Sequence, residues 1–201
     1  MNTWTSSGKV SLADRPKYYW DACAWIALIQ QEPTRFDALS YVIEEARKGN
    51  VEIWTSNFTL AEVFKRPCDG EQKGIAAVQD AAFEDFIVQE FVTRVQVDFD
   101  VGVLARRLLR KFPEIGKPQD GIHLATALLN NVDELHTYDR KDLIGLSGRI
   151  DRKDGVKLKI CAPPQRPMPA QPEKTPMERF IDDLIEDRSQ GKEDKAPEIK
   201  I

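Results

Sequence analysis

Short runs with strand character alternate with amphipathic helical runs, and this alternation constrains the fold more than any other feature of the sequence. Strands are predicted at residues 17–20, 51–55, 91–97, 134–138 and 157–160. Helices are predicted at residues 24–31, 36–48, 59–65, 75–89, 99–112 and 118–129. Strands separated by helices form βαβ units, so the sequence predicts an α/β fold with a mostly parallel central sheet and helices on both faces. In such folds, ligands bind at the carboxyl ends of the strands.

The composition changes after Ala162 and divides the chain into three predicted parts. Residues 1–162 carry the α/β domain, because 201 residues that are 41% hydrophobic suffice for one core plus an appendage. Residues 163–176 contain six prolines and predict an extended, semi-rigid linker. Residues 177–201 form a polar tail with one short amphipathic helix, which we expect to dock in a groove of its own or a neighbouring domain because so short a helix is marginally stable alone. A frayed extension without function is the alternative. Its apolar residues are Met177, Phe180, Ile181, Leu184 and Ile185.

The overall charge and the cysteines exclude several classes of protein. A net charge of −4 argues against a sequence-independent coat for nucleic acid, so any basic surface is local. Cys23, Cys68 and Cys161 are odd in number and form no C-x-x-C pair, which indicates neither a disulfide framework nor a thiolate zinc site. Because no run has the pattern of a signal peptide or the length of a membrane span, we expect a cytoplasmic protein.

Four carboxylates lie at ends of the predicted elements. Asp21 directly follows the first strand, and Glu62 lies among apolar residues soon after the second. Asp120 lies in the first turn of a helix that opens with Pro118, and Asp139 directly follows a late strand. Each has an ordinary structural explanation as a helix cap, an exposed helix charge, a partner of a helix dipole or an Asx turn.

The four carboxylates are harder to explain together than singly. Two carboxylates about 4 Å apart repel each other by about 4 kcal/mol at an effective dielectric of 20, so gathering several destabilises a fold unless cations lie among them. Oxygen ligands without cysteine or paired histidine favour Mg²⁺ or Mn²⁺ over zinc. The corresponding chemistry is phosphodiester hydrolysis, in which such ions activate a water and stabilise the leaving oxygen.

Other residues near these acids have expected supporting roles. Asp142 follows Asp139 by three residues, and we expect it to lie farther from a metal than the other acids. His123, one turn after Asp120, is expected to orient or pack rather than to act as a general base. Trp25 is expected in the core or at its rim rather than as a platform for base stacking. The basic residues that could contact phosphates are Lys65, Arg66, Arg140, Lys141 and a helical cluster of Arg106, Arg107, Arg110 and Lys111. A solvated helix face is the alternative for the helical cluster.

The segments around the four acids resemble a known family. In order along the chain they read WDACAWIALI, TLAEVF, DGIHLATAL and HTYDRKDL. They resemble the four acidic motifs of the PIN-domain ribonucleases, a family that includes VapC-type toxins of bacterial toxin–antitoxin pairs. The resemblance implies endonucleolytic cleavage of RNA with Mg²⁺ or Mn²⁺, and an antitoxin protein and a second copy of the chain are further candidate partners. Carried over position by position, the metal-binding and catalytic residues would be Asp21, Glu62, Asp120 and Asp139.

Other classes of protein fit these residues less well. A haloacid-dehalogenase-type phosphatase needs an aspartate two residues after Asp21, where Cys23 stands, and a cysteine phosphatase needs an arginine where Ile29 stands. A phospho-acceptor domain would need a lysine that closes a strand beside a lone aspartate, and the sequence offers none. The stronger alternative is a non-catalytic PIN-like scaffold that binds RNA or protein, against which the presence of all four acids argues.

Overall fold

A computed structural model describes residues 15–64 and 74–167. Its strands are β1 (Lys17–Trp20), β2 (Glu52–Ser56), β3 (Val92–Val95), β4 (Glu134–His136) and β5 (Lys159–Cys161). Its helices are α1 (Ala22–Ile29), α2 (Phe36–Arg47), α3 (Thr59–Glu62), α4 (Ala77–Ile87), α5 (Phe99–Lys111) and α6 (Pro118–Leu129), and a 3-10 helix covers Ile144–Leu146.

The five strands form one parallel sheet in the order β3-β2-β1-β4-β5. The chain first adds strands on one side of β1 and then returns to add β4 and β5 on the other side. The order therefore reverses beside β1, and the carboxyl ends of β1 and β4 flank the crevice where open α/β sheets bind ligands. The predicted α/β fold with a parallel sheet is confirmed.

Helices cover both faces of the sheet, and β1 supplies a buried aromatic side chain to each face. Because side chains alternate along a strand, Tyr19 packs in the core beneath α5 and α6, while Trp20 packs in the core beneath α1, α2 and α4. Both are fully buried, as is Trp25, so the expected core position of Trp25 is confirmed.

Close packing between α5 and α6 fixes the position of the α6 amino terminus. A Cβ atom at Gly121 would lie 3.1 Å from Cγ of Leu109, which is tighter than ordinary van der Waals contact. The missing side chain thus allows α6 to approach α5 closely. Asp120, the preceding residue, is held at the crevice by this packing.

Element boundaries differ from the predictions by a few residues. Helix α1 begins at Ala22 rather than residue 24, because Asp21 caps it and accepts a hydrogen bond from the Ala24 backbone N–H at 3.0 Å. Helix α3 ends at Glu62, before the predicted residue 65, because Val63 leaves the helical region with φ −86° and ψ 66°. Helix α6 has the predicted bounds.

The carboxyl-terminal predictions lie mostly beyond the described part of the chain. The described residues up to Arg166 belong to one compact unit. The description ends at residue 167, so most of the predicted linker and the whole predicted tail helix lie outside it, and the division at residues 162 and 176 stays a prediction. Among the described helices, none combines the length and the apolar character that a membrane span requires.

Candidate metal centre

Three carboxylates meet at the carboxyl edge of the sheet. Each of Asp120, Asp139 and Asp142 offers one oxygen, and these oxygens all lie within 4.8 Å of one another. We call these three residues the acidic cluster. Among the described residues, the structure thus brings together two of the four acids predicted from the sequence, Asp120 and Asp139, and adds Asp142 to them.

A tight turn after β4 brings Asp142 beside Asp139. Asp139 Oδ1 accepts hydrogen bonds from the backbone N–H groups of Lys141, at 3.0 Å, and Asp142, at 2.9 Å. The Asp139 N–H in turn donates to Thr137 Oγ1 at 3.0 Å. Asp142 therefore lies beside Asp120 and Asp139, and its expected position farther from a metal than the other acids stays a prediction. Asp139 thus forms the Asx turn that was its alternative explanation from the sequence, and this turn brings the cluster together.

A glycine leaves room for the Asp142 carboxylate, which is buried at 6% exposure. A Cβ atom at Gly116 would lie 3.1 Å from Asp142 Oδ2. The loop before α6 therefore approaches the carboxylate closely. The same loop leads directly into the helix that carries Asp120.

Of the acids at this edge, Asp120 is explained least well by an ordinary structural role such as pairing with a helix dipole. Its Oδ2 atom is buried and has no hydrogen-bond partner within residues 15–64 and 74–167. Burial raises the pKa of Asp120 to about 6, against the lowering effect of Lys117 and with added repulsion from Asp139 and Asp142. A buried carboxylate oxygen without a donor, next to two further carboxylates, fits a hard divalent cation.

Asp21 lies at the end of β1 and is 4% exposed. Besides capping α1, it has a pKa that burial raises, with His123 lowering the pKa and Glu62 adding to the rise. The cap fixes one carboxylate oxygen toward the α1 backbone. Its sequence-predicted role as a metal ligand stays a prediction.

Glu62 is held by a buried histidine rather than by the acidic cluster. His123 Nε2 lies 2.6 Å from Glu62 Oε2, and His123 Nδ1 lies 2.8 Å from the Tyr19 hydroxyl. Burial raises the pKa of Tyr19, so its phenol stays protonated and hydrogen-bonds to Nδ1 of the ring. Nε2, on the other side of the ring, donates to the Glu62 carboxylate. His123 therefore has the orienting role expected of it, and Glu62 as a metal ligand stays a prediction.

A second mixed group of side chains lies between β4 and β5 and was not singled out in the sequence. Ligand atoms of Glu134, His136 and Cys161 also lie within 4.8 Å of one another. Trp20 donates its indole N–H to His136 Nδ1 at 3.2 Å, so Nε2 carries the proton and donates to Glu134 at 3.0 Å. A metal on Nε2 would move that proton to Nδ1, where it would face the indole N–H. The group is thus a hydrogen-bonded network, and the alternation of Glu134 and His136 along one strand was its only sequence signal.

The basic residues named from the sequence have different outcomes. Lys65 and Arg66 lie outside the described residues. Arg106, Arg107, Arg110 and Lys111 are exposed on α5, and their contact with RNA stays a prediction. Arg140 and Lys141 are exposed directly after Asp139, at the edge of the acidic cluster.

Comparison with known proteins identifies the family. The sequence model of the PIN domain matches residues 18–144, and the chain belongs to the PIN domain family. This confirms the resemblance indicated by the four acidic motifs. No curated protein sequence matches the chain.

Several solved structures are similar to this chain at low sequence identity. VapC20 of Mycobacterium tuberculosis, described as a toxin that cleaves the sarcin-ricin loop, is 17% identical over 61% of this chain and 89% of its own, with a TM-score of 0.47. A toxin–antitoxin complex from Klebsiella pneumoniae is 18% identical over 74% of this chain and 99% of its own, with a TM-score of 0.49. VapBC2 of Rickettsia felis, bound to a DNA fragment from its promoter, is 19% identical over 72% of this chain and 98% of its own, with a TM-score of 0.47.

Proposed function

We propose that the protein is a metal-dependent endoribonuclease that hydrolyses RNA phosphodiester bonds. The observation that carries the proposal is the acidic cluster, in which the buried Oδ2 of Asp120 has no donor within the described residues. Carboxylates within 4.8 Å of one another repel unless a cation lies among them. Membership of the PIN domain family supports the same chemistry through the resemblance of its acidic motifs.

The residues present fit Mg²⁺ or Mn²⁺ better than a soft metal. Asp120, Asp139 and Asp142 offer only oxygen ligands, which these hard ions prefer. When bound, a divalent cation would activate the attacking water and stabilise the leaving oxygen. Binding of the cation would lower the pKa of Asp120, because a nearby positive charge favours the ionised carboxylate.

Two further acids complete the proposed site. Asp21 would hold its carboxylate fixed through the α1 cap and thereby keep negative charge at the end of β1. Glu62 would be held in position by the His123 N–H, whose own orientation is fixed by Tyr19. We assign both residues to orienting a water or a cation at the edge of the acidic cluster.

We further propose that the protein is the toxin of a toxin–antitoxin pair, on the resemblance of its four motifs to VapC-type toxins. An antitoxin would be a small DNA-binding protein encoded beside the gene, and a second copy of this chain would be a further partner. Coexpression with the product of an adjacent short reading frame should then give a stable complex and suppress RNA cleavage. Unchanged cleavage in the presence of that product would contradict the toxin assignment.

The test of the nuclease is cleavage of labelled RNA by the full chain with Mg²⁺, with Mn²⁺ and with EDTA. Asp120→Asn and Asp139→Asn keep the side-chain shape, so cleavage should fall by about 100-fold or more while the circular dichroism spectrum stays unchanged. Asp85→Asn is the matched control, because Asp85 is an exposed carboxylate on α4. Normal cleavage by Asp120→Asn would refute the assignment, and RNA binding without cleavage in any metal would favour the non-catalytic scaffold.

A further inference from the structure

A polar pocket of about 720 Å³ opens beside the acidic cluster. Its walls come from the segment between α1 and α2, the turn after β4 and the segment after β5. The polar and aromatic residues that line it include Thr34, Arg35, Tyr138, Arg140, Lys141 and Gln165. The volume lies within the range of about 300 to 1,000 Å³ that is typical of small-molecule sites.

The pocket and the acidic cluster share Asp139. A neighbouring unit of a polymer whose phosphodiester lay at the cluster would therefore be close to the pocket. Arg35, Arg140 and Lys141 supply positive charge to the lining, although Glu32 pairs with Arg35 at 2.8 Å and offsets part of it. The Arg35 guanidinium also lies over the Tyr138 ring, 4.3 Å from its centroid, which fixes that wall.

The outer wall comes from residues 162–166, a segment that we call the strap. The strap follows β5 and lies beyond the residues that the PIN domain model matches, which end at residue 144. Ala162 and Gln165 line the pocket, and Pro163 is buried. The wall therefore lies outside the residues that the family model matches.

One arginine attaches the strap to α2. Arg166 donates through Nη1 and Nη2 to the two carboxylate oxygens of Glu44, at 2.9 and 2.8 Å, and through Nε to Asp37 at 3.3 Å. Its guanidinium also lies 5.5 Å from the centroid of the Tyr41 ring. A two-pronged arginine–carboxylate pair fixes geometry better than a single contact does, so Arg166 acts as a latch on the strap.

We propose that this pocket binds a nucleotide of the RNA chain next to the bond that is cleaved, and that the Arg166 latch holds the wall that contacts this nucleotide. The inference rests on the proposed nuclease function. Arg140 and Lys141 meet the phosphate that follows the reacting one, and the Gln165 amide and the Thr34 hydroxyl hydrogen-bond to base edges. Unpaired bases of single-stranded RNA expose the edges that such groups recognise.

The first test measures binding of a fluorescent single-stranded RNA oligonucleotide by anisotropy, in an Asp120→Asn background that removes cleavage. Arg166→Ala should weaken binding about fivefold to tenfold, the effect of losing about one positioned hydrogen bond. Arg166→Lys keeps the charge but loses the two-pronged geometry, so it should weaken binding by a similar factor. Arg149→Ala is the matched control, because Arg149 is exposed, pairs with Glu114 at 2.9 Å and does not line this pocket.

A double-mutant comparison tests whether the latch acts through the strap. Gln165→Ala should weaken RNA binding, and adding Arg166→Ala should weaken it little further, because both changes remove the same contact. In the cleaving protein, Arg166→Ala should raise KM and leave kcat unchanged, as expected for a positioning residue. Thermal melts of each variant check that the fold is retained.

A photocrosslinking measurement gives an independent result. RNA with 4-thiouridine beside the cleavage position should crosslink to peptides that contain residues 138–141 or 162–166. The inference is overturned by crosslinks that fall only elsewhere, by full affinity of Arg166→Lys, or by an Arg166→Ala effect no larger than that of Arg149→Ala. Those outcomes leave RNA cleavage by the unmodified chain intact, whereas failure of the proposed function itself would appear as absence of metal-dependent cleavage.

Discussion

Replacing Asp120 by asparagine should stabilise the metal-free protein at neutral pH while abolishing cleavage. The carboxylate is half-buried, one of its oxygens lacks a donor within the described residues, and two further carboxylates adjoin it. An asparagine has nearly the same shape, carries no charge, and can donate its amide N–H to Asp139 or Asp142. Removing the charge therefore removes a source of strain in the absence of metal.

The size of the effect follows from the pKa of Asp120, which rises from the ordinary 3.8 to about 6. The stability that protonated Asp120 contributes is fully present below pH 3.8 and is lost as the pH rises through about 6. The difference of about two units corresponds to at most about 3 kcal/mol at pH 7. Because Asp120 is only partly buried, solvent screening reduces this to about 1 to 2 kcal/mol.

Urea denaturation of the full chain in EDTA, at pH 4 and at pH 7.5, measures this prediction. At pH 7.5 the Asp120→Asn midpoint should exceed that of the unmodified chain by about 0.5 to 1 M, and at pH 4 the two midpoints should nearly coincide. Asp85→Asn controls for loss of an exposed charge. Mg²⁺ should stabilise the unmodified chain and not Asp120→Asn, and an Asp120→Asn protein that is less stable than the unmodified chain at pH 7.5 would refute the reasoning.

Four further outcomes follow from the site and its surroundings. Asp142→Asn and Asp139→Asn should each weaken Mn²⁺ binding by about tenfold or more, whereas Glu62→Gln should weaken it less. Isothermal titration with Mn²⁺ measures this, and an affinity of Asp142→Asn equal to that of the unmodified chain would exclude Asp142 as a ligand. Tyr19→Phe removes the hydroxyl that hydrogen-bonds to His123 Nδ1 and should lower the unfolding free energy by about 1 to 2 kcal/mol in urea, so an unchanged value would show that this hydrogen bond adds nothing. Hydrogen bonds from His136 and Lys159 lower the pKa of Glu134 to about 2 despite burial, so the stability that ionised Glu134 adds to the fold is present above pH 4.5 and is lost as the pH falls toward 2. Glu134→Gln should therefore lower the unfolding free energy by about 1 kcal/mol at pH 7. Zn²⁺ should not raise the melting temperature of the unmodified chain. A chain that ends at Arg166 should melt by calorimetry like the full chain, and one that ends at Ala162 should melt at a lower temperature, so equal melting of the two truncations would place the domain boundary at Ala162 as the composition predicts.

The fold was predictable because local patterns and tertiary packing agree along most of this chain. Helix α6 has its predicted bounds, since Pro118 suits a first turn and apolar residues recur through Leu129. Boundaries failed where a single backbone conformation decides them, as at Val63, which no pattern of apolar residues encodes. The order of the strands was also beyond the pattern, because it depends on which side of β1 each crossover packs.

The candidate site was predictable only to the extent that single residues mark strand ends. Asp139 and Asp120 mark the end of β4 and the start of α6, and the parallel sheet places those two termini at one edge. Glu62 also follows a strand closely, yet its side chain reaches His123, because α3 is a single turn that ends there. The direction in which an acid points depends on such local geometry and not on its place in the order of elements.

Asp142 lies beside Asp120 and Asp139 because of a local turn that the sequence pattern did not reveal. Three residues along an extended chain span about 10 Å, a distance that would carry Asp142 well beyond the carboxylate of Asp139. Asp139 Oδ1 instead accepts the N–H groups of Lys141 and Asp142, so its side chain folds the backbone back, and Gly116 leaves space for the returning carboxylate. The hydrogen bonds that would make Asp139 an ordinary turn residue are thus the ones that deliver the third carboxylate. In this chain, the structural role and the proposed metal-binding role of Asp139 support each other.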